Sequence, residues 1–352
     1  MGSANTDFKS EELAYYSRQL VLAEIGLKGQ RRLKRASVLV AGMGGLGCQL
    51  AVQLASMGVG HLRLVDRDIV EMSNLQRQHL YGIDVVGYPK VEAAEMRLNK
   101  VNPFIKIEAL PVTINDRTAG KLVEGVDLVV DGLDRLTTRL ALNRACIDNK
   151  IPYIYGAVIT HVGNISTILP GETPCLECWQ GNIDETTVPT CATVGVIPSV
   201  ISIVASIQVS EAMRIILGKK PNLASKLLFF DLEDLSLEII NLVKAGSCSA
   251  CGERKVRNEK FDPVEEVCGR EGRRVFTITP AKLVDLDMGT ITKKCEKLSL
   301  GELLQSRFGV SFSDGKDLKG SIFKTGIAVL EGVESRANAL DLYQKITGVA
   351  VE

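Results

Sequence analysis

The sequence predicts an α/β protein built on a Rossmann-like, doubly wound and mostly parallel sheet. Two observations indicate this class. Short apolar runs alternate with helical patterns as far as Ala157, and a glycine-rich loop directly follows the first run, at 37–41. The chain has 352 residues, enough for about two domains. We place the domains at 1–262 and 263–352.

Each predicted element follows from a local pattern. Branched apolar runs favour buried strands, and apolar residues three and four apart favour helices. In the first domain we predict helices at 11–25, 45–57, 91–100, 137–149 and 198–217, and strands at 37–41, 61–66, 106–110, 127–131, 152–156, 162–169, 227–231 and 236–240. A charged, glycine-containing linker follows at 245–264. The second domain reads as a small α+β unit with strands at 274–279, 310–312 and 321–330 and helices at 299–308 and 334–346.

Composition argues against several functions. Lys plus Arg and Asp plus Glu both number 42, which argues against a basic nucleic-acid-binding protein. The polar N-terminal segment, 1–20, does not resemble a signal peptide, so we expect a cytoplasmic protein. The segment 186–210 carries no charge, but prolines and serines interrupt it. We interpret the helix there as a core or dimer-interface helix rather than a membrane span.

The glycine loop predicts a nucleotide site. Gly42, Gly44 and Gly47, with Gly45 between them, match G-x-G-x-x-G between a strand and a helix, where backbone N–H groups can meet phosphate. Asp66 ends the next strand, about 20 residues after Gly47, and can accept ribose hydroxyls. The alternative is a glycine turn without a ligand. The pattern alone does not choose among NAD, FAD and ATP.

Polar residues downstream favour a triphosphate. Asn74 and Arg77 in the cluster 73–78, with Lys90, offer a neutral donor, a planar fork and a point charge. A solvated helix face is the alternative. The segment 131–134 lies at the carboxyl end of a predicted strand, where an aspartate can bind Mg²⁺. The alternative for that segment is an N-cap for the helix beginning near Thr137.

Two C-x-x-C pairs predict a structural zinc site. Cys175, Cys178, Cys248 and Cys251 supply four thiolates, which leave no open coordination position. The long segment 179–247 separates the two pairs, so the site would join two distant parts of the chain. The alternative is a set of redox-active or simply reduced cysteines.

Cys191 stands alone before a long predicted helix. A helix N-terminus lowers the pKa of a thiol and favours a thiolate nucleophile. A lone cysteine is otherwise often inert packing. With three histidines in the chain, none adjacent in sequence to a cysteine, a Cys–His protease is not supported.

Taken together, these residues resemble the ubiquitin-activating enzyme superfamily. The chain is similar to the homodimeric adenylyltransferases of the molybdopterin-synthase and thiamine sulfur carriers, and to the enzymes that activate ubiquitin-like modifiers. The resemblance covers about 15–251. It is based on the segments 16–19, 42–47, 73–78, 89–92 and 131–134, the two C-x-x-C pairs and Cys191.

The resemblance implies a role for each candidate residue. The glycine loop would bind ATP phosphates, Asp66 the ribose and Asp134 the Mg²⁺. Asn74, Arg77 and Lys90 would contact the triphosphate, and Arg18 would reach the γ-phosphate from the neighbouring subunit of a homodimer. The four paired cysteines would hold zinc, and Cys191 would form a thioester with the modifier.

The activity implied is adenylation of a small protein that ends in Gly-Gly. We favour a ubiquitin-like modifier passed to a conjugating enzyme, because no rhodanese loop is evident and the C-terminal unit resembles, by position, a ubiquitin-fold domain. That unit could instead serve stability or dimerisation. The alternative function is adenylation of a sulfur carrier for molybdopterin, thiamine or tRNA thiolation. An NAD-dependent dehydrogenase is a remote alternative.

Overall fold

The computed structural model describes residues 8–185, 191–252, 262–268 and 273–351, which form a larger and a smaller unit. The larger unit is built on an eight-stranded sheet. Its strands are β1 (Ser37–Ala41), β2 (His61–Val65), β3 (Lys106–Leu110), β4 (Leu128–Asp131), β5 (Tyr153–Ile159), β6 (Val162–Ile168), β7 (Lys226–Asp231) and β8 (Ser236–Asn241).

The strand order is β3-β2-β1-β4-β5-β6-β7-β8. From β3 to β5 all neighbours are parallel, and from β5 to β8 they are antiparallel. The predicted α/β class with a mostly parallel sheet is confirmed. The chain runs outward in both directions from β1, with β2 on one side and β4 on the other. This topology opens a crevice at the carboxyl ends of β1 and β4, where open α/β sheets bind ligands.

Helices cover both faces of the parallel part of the sheet. The helices of this unit are α1 (Ser10–Tyr15), α2 (Ser17–Leu20), α3 (Gly26–Arg35), α4 (Gly45–Met57), α5 (Lys90–Val101), α6 (Ala119–Val123), α7 (Leu136–Asn149), α8 (Glu177–Gln180), α9 (Cys191–Val194) and α10 (Pro198–Ile216). In β1, Val38 and Val40 face the core shared with α4, α5 and α10. Leu39 and Ala41 face the core shared with α6 and α7. This explains why β1 is apolar at every position after Ser37.

Helix α10 is long and apolar enough, by composition, to cross a membrane. In the fold it packs against α4, β5 and β6. Its buried Gln208 amide donates hydrogen bonds to the backbone oxygens of Asp131 (2.9 Å) and Ile154 (3.1 Å). The helix therefore braces the carboxyl end of β4 from below the crevice.

The N-terminal helix differs from the prediction. Instead of one helix over 11–25, the chain forms α1 and α2, and α3 begins at Gly26, which we had placed beyond the helix. The break occurs at Tyr16, whose buried hydroxyl accepts a hydrogen bond from Asn102 (2.7 Å). A tertiary contact from another part of the chain decides the break, so local periodicity does not reveal it.

The smaller unit is a six-stranded antiparallel sheet with two helices, in the order β11-β12-β13-β14-β10-β9. Its elements are β9 (Val264–Cys268), β10 (Arg274–Ile278), α11 (Met288–Lys297), β11 (Glu302–Gln305), β12 (Gly309–Ser313), β13 (Lys319–Phe323), β14 (Ala328–Glu331) and α12 (Arg336–Thr347).

The predicted helix at 299–308 is wrong: this segment contains the edge strand β11 and the turn after it. Ser299 and Gly301 both have positive φ angles, which end the helical path before β11. The helix of this region is α11, which the sequence analysis missed. Its N-cap, Asp287, accepts the backbone N–H of Thr290 (2.8 Å). That N-cap was the available sequence signal.

Candidate functional site

The floor of the crevice is made of tightly packed glycines. Gly42 has a φ of +85°, and a Cβ on Gly47 would lie 1.8 Å from the Gly42 oxygen. A Cβ on Gly132, just after β4, would lie 2.8 Å from the same oxygen. Gly44 is the N-cap of α4, and Gly45 is its first residue. The predicted phosphate loop therefore lies against the loop that follows β4.

Asp66 lies at the end of β2 and holds the glycine loop. Its carboxylate accepts the backbone N–H groups of Met43 (2.6 Å) and Asp68 (2.7 Å). Burial raises the pKa of Asp66 to about 6, against the opposing effect of the nearby Lys90 ammonium. Both carboxylate oxygens are thus held by backbone donors beside the glycine loop.

Lys90, at the start of α5, is buried beside two carboxylates. Its Nζ lies 2.8 Å from the side-chain oxygen Oδ2 of Asp68. Its backbone N–H donates to the backbone carbonyl oxygen of Asp68 (2.9 Å). Burial alone would lower the pKa of Lys90, but Asp68, Asp66 and, more weakly, Asp134 raise it. The side chain is therefore a fixed cation, which suits a phosphate contact.

Asn74 and Arg77 lie beside the glycine loop. Asn74 is buried in a 3₁₀ turn, and Arg77 donates from Nη1 to the Ser73 oxygen (3.0 Å). A Cβ on Gly45 would be 3.7 Å from the Arg77 oxygen, and one on Gly44 would be 4.0 Å from Gln78 Nε2. The Arg77 backbone and the Gln78 side chain therefore adjoin the glycine loop, while Ser73 and Gln76 are exposed.

Gln78 is a residue to which the sequence analysis gave no role. Its side chain is 3% exposed, and its buried Oε1 has no hydrogen-bond partner among the described residues. A buried polar atom of this kind costs free energy unless a ligand or water meets it. The one sequence signal was its place in the cluster 73–78.

The two aspartates of the segment 131–134 have different surroundings. Asp131 is fully buried, and its Oδ2 accepts hydrogen bonds from Arg139 Nε (3.0 Å) and Tyr153 Oη (2.6 Å). Asp134 is exposed, and its charge helps to raise the pKa of Lys90. Neither aspartate caps α7, because Glu185 accepts the first N–H of that helix (2.7 Å). The N-cap alternative is therefore wrong, and Asp134 faces the crevice region as a candidate metal ligand.

The four paired cysteines meet in one cluster. All four Sγ atoms lie within 4.8 Å of one another, with Cys175–Cys248 at 3.6 Å and Cys178–Cys251 at 3.5 Å. Tetrahedral zinc with Zn–S bonds of about 2.3 Å places thiolates roughly 3.8 Å apart. The donor set therefore fits a zinc ion.

Polar contacts also join the two cysteine pairs. Glu177, inside the first pair, accepts a hydrogen bond from Ser249 Oγ inside the second (2.5 Å) and pairs with Arg144 (2.6 Å). The Asn143 side-chain oxygen accepts the Leu176 N–H (3.0 Å). Such outer contacts orient metal ligands.

The structure does not describe the Cys191 side chain, and it places Arg18 away from the crevice of its own chain. Cys191 begins the short helix α9, but its side chain and residues 186–190 lie outside the described residues. Arg18 is exposed on α2. Its neighbour Gln19 donates to the Met57 oxygen (2.8 Å), at the end of α4 farthest from the glycine loop. Since α4 is about 20 Å long, Arg18 cannot serve this crevice from its own chain.

The shifted pKa of Asp66 predicts a pH-dependent ribose contact. Because folding raises this pKa from 3.8 to about 6, ionisation of the carboxyl costs folding stability as the pH rises through that range. Its ability to bind a ribose hydroxyl changes in the opposite direction, since the ionised form is the better acceptor.

We expect the preference for ATP over 2′,3′-dideoxy-ATP to fall about tenfold between pH 7 and pH 5, since the ionised fraction of Asp66 changes by that factor. Competitive binding of the two nucleotides across this range measures it. Their phosphates titrate alike, so the ratio isolates the ribose. A ratio that stays constant would contradict the assignment of Asp66.

Comparisons with known proteins support this description. The ThiF family profile matches residues 16–250. SAMP-activating enzyme E1 from Haloferax volcanii is 38% identical over 256 residues, covering 72% of this chain and 94% of that protein. Sulfur carrier protein ThiS adenylyltransferase from Bacillus subtilis is 32% identical over 342 residues, covering 95% of this chain and 99% of that protein.

A solved structure shows a similar fold. A crystal structure of E. coli MccB with ATP superposes with a TM-score of 0.60 and 28% identity, covering 68% of this chain and 74% of that one. The Bacillus subtilis match differs from these partial ones, because it extends through the smaller unit as well.

Proposed function

This chain belongs to the ThiF family and is an adenylyltransferase, and on that premise we propose that it adenylates the C-terminus of a small sulfur-carrier protein. The observation that supports this most directly is the crevice between β1 and β4. There the glycine loop, Asp66, Lys90 and Asp134 come together from four separate segments.

The reaction we propose forms one bond and breaks one. A carboxylate oxygen of the carrier's C-terminus attacks the α-phosphorus of ATP, and the bond from that phosphorus to the bridging oxygen of pyrophosphate breaks. The products are an acyl-adenylate and pyrophosphate. Lys90 and Arg77 would neutralise the phosphate oxygens, and Asn74 would add a neutral donor. Catalysis would then consist mainly of positioning and charge neutralisation.

Two metals belong to the proposal. Asp134 would hold Mg²⁺, which supplies charge neutralisation for the triphosphate. The four-cysteine cluster would hold zinc in a structural role, because four thiolates fill its coordination shell. In the proposed homodimer, Arg18 would enter the partner's crevice from α2.

The sequence alone favours a ubiquitin-like modifier that is passed to a conjugating enzyme. The names of the relatives favour the sulfur-carrier function instead. The relative that matches almost the whole chain is called a ThiS adenylyltransferase. Because this match includes the smaller unit, that unit is no longer a reason to favour a ubiquitin-type cascade.

ATP–pyrophosphate exchange tests the proposed function. The purified chain, with ATP and Mg²⁺, should exchange labelled pyrophosphate when a sulfur-carrier protein ending in Gly-Gly is added. The same carrier with its last glycine deleted is the matched control and should give background exchange. The proposal would be overturned if the exchange rate did not depend on the carrier. It would also be overturned if no carrier in a broad panel supported exchange.

Activation of a ubiquitin-like modifier is the second candidate. It is favoured by the SAMP-activating E1, which is 38% identical to this chain. Cys191 is the residue that separates the two functions. A thiol-sensitive adduct that moves from Cys191 to a conjugating enzyme on a non-reducing gel would favour the second candidate, and thiocarboxylate formation on the carrier would favour the first.

We expect Cys191→Ala to keep ATP–pyrophosphate exchange within about twofold, because the thiol acts after adenylation. The same variant should lose any reducible adduct with the carrier, as seen on a non-reducing gel. Cys295→Ala, which removes a buried thiol of the smaller unit, is the control and should retain the adduct. An adduct that persists in Cys191→Ala would assign it to another cysteine.

A further inference from the structure

The smaller unit packs against the larger one next to the nucleotide crevice. Phe323 and Ile327 are fully buried in the core that contains Leu39 and Ala41 of β1. Thr325 Oγ1 donates to the Pro111 oxygen (2.8 Å) just beyond β3. The two units therefore share a core, and the smaller one is fixed relative to the crevice.

A buried carboxylate holds the smaller unit at the start of α5. Glu92 is 5% exposed and lies two positions after Lys90. Its two oxygens accept the backbone N–H groups of Arg307 and Phe308, each at 3.0 Å, in the turn between β11 and β12. Since a buried carboxylate needs such donors, this turn and the helix end that carries Lys90 stabilise one another.

A second carboxylate extends from the smaller unit to the crevice itself. Glu265, on β9, pairs with Arg67 (Oε2 to Nη1, 3.0 Å) and with Arg135 (3.4 Å). Arg67 follows Asp66 directly, and Arg135 follows Asp134. One carboxylate thus joins the loops after β2 and β4, the two strands that flank β1.

Arg67 has other acids within reach. Burial alone would lower its pKa, but Glu265, then Asp68 and then Asp134, raise it. Asp68 is already paired with Lys90 (2.8 Å), so without Glu265 the remaining acid whose charge acts on Arg67 is Asp134. Pairing with Asp134 would occupy the carboxylate assigned to Mg²⁺.

We propose that Glu265 makes the smaller unit part of the nucleotide site, as a positioning residue that holds Arg67 away from Asp134. This inference rests on the proposed function, because it takes Asp134 as the metal ligand. It gives the smaller unit a role in every adenylation cycle, independent of recruiting a conjugating enzyme.

Glu265→Gln in the full chain tests the proposal, with Glu266→Gln as the matched control. Glu266 is the next residue of β9 and pairs with Arg274 inside the smaller unit (3.3 Å). The readout is the affinity for ATP, measured by calorimetry in Mg²⁺ and again in EDTA, beside the thermal midpoint. We expect Glu265→Gln to weaken binding in Mg²⁺ about fivefold, the scale of one partly exposed ion pair.

Binding in EDTA and the thermal midpoint should stay at wild-type values, and Glu265→Asp should recover part of the Mg²⁺-dependent affinity. Equal weakening with and without Mg²⁺, or a lower thermal midpoint alone, would mean that Glu265 is merely structural and would overturn the proposal. So would wild-type behaviour of Glu265→Gln. A wild-type chain that lacks carrier-dependent exchange would overturn the proposed function, and this inference with it.

Discussion

Asp134→Ala should reduce ATP–pyrophosphate exchange by about a hundredfold to a thousandfold, the cost of removing a group that stabilises charge in a transition state. Asp134 is an exposed acid that follows the carboxyl end of β4, and its charge helps to raise the pKa of Lys90. It does not cap α7, since Glu185 accepts the first N–H of that helix. The fold should therefore survive the change, as measured by thermal unfolding.

The matched control for this variant is Glu124→Ala. Glu124 is also a solvent-accessible carboxylate of the larger unit. It precedes β4 and so lies near the amino ends of the parallel strands, away from the crevice at their carboxyl ends. It should exchange at the wild-type rate. Normal exchange in Asp134→Ala would remove the basis for the magnesium assignment.

Cys248→Ser should remove the bound zinc and destabilise the larger unit. Structural zinc contributes about 10 kcal/mol or more in small domains, so even a partial loss here should lower the thermal midpoint by about 10 °C or more. Metal analysis of the purified chain should give one zinc per wild-type chain and a clear deficit in the variant.

Cys295→Ser provides the control for zinc content. It alters a buried thiol in the smaller unit, so it should cost packing energy without changing the zinc content. A Cys248→Ser variant with unchanged stability, or a wild-type chain without zinc when grown with it, would instead favour the interpretation of reduced cysteines.

The sequence predicted those parts of the fold in which local pattern and tertiary packing agree. The apolar runs of β1 and β4 are buried on both faces, so their strand assignment follows from composition. The glycine loop and the cysteine pairs were predictable because each needs particular residue types at fixed spacing. The position of the glycine loop at the crevice could also be predicted, because loops at the carboxyl ends of parallel strands usually form the ligand site.

Other features depend on contacts that no local pattern contains. The break at Tyr16 is decided by Asn102, 86 positions away. The strand β11 exists because it pairs with β12 and its turn donates to Glu92, in the other unit. Similarly, no local pattern distinguishes Glu265 from its charged neighbours in the sequence. Its contacts with Arg67 and Arg135 become visible only in the folded chain.

The pairing of β1 with β4 also has a consequence for the order of synthesis. Val38 pairs with Leu128, far later in the chain, and β1 pairs with β2 only on its other side. A nascent chain can thus form the β2-β1 pair early, while the crevice must wait until Asp131 has emerged from the ribosome. Closing so long a loop is slow as well as entropically costly. Nucleotide in the cell would therefore stabilise only chains that have already completed this late pairing.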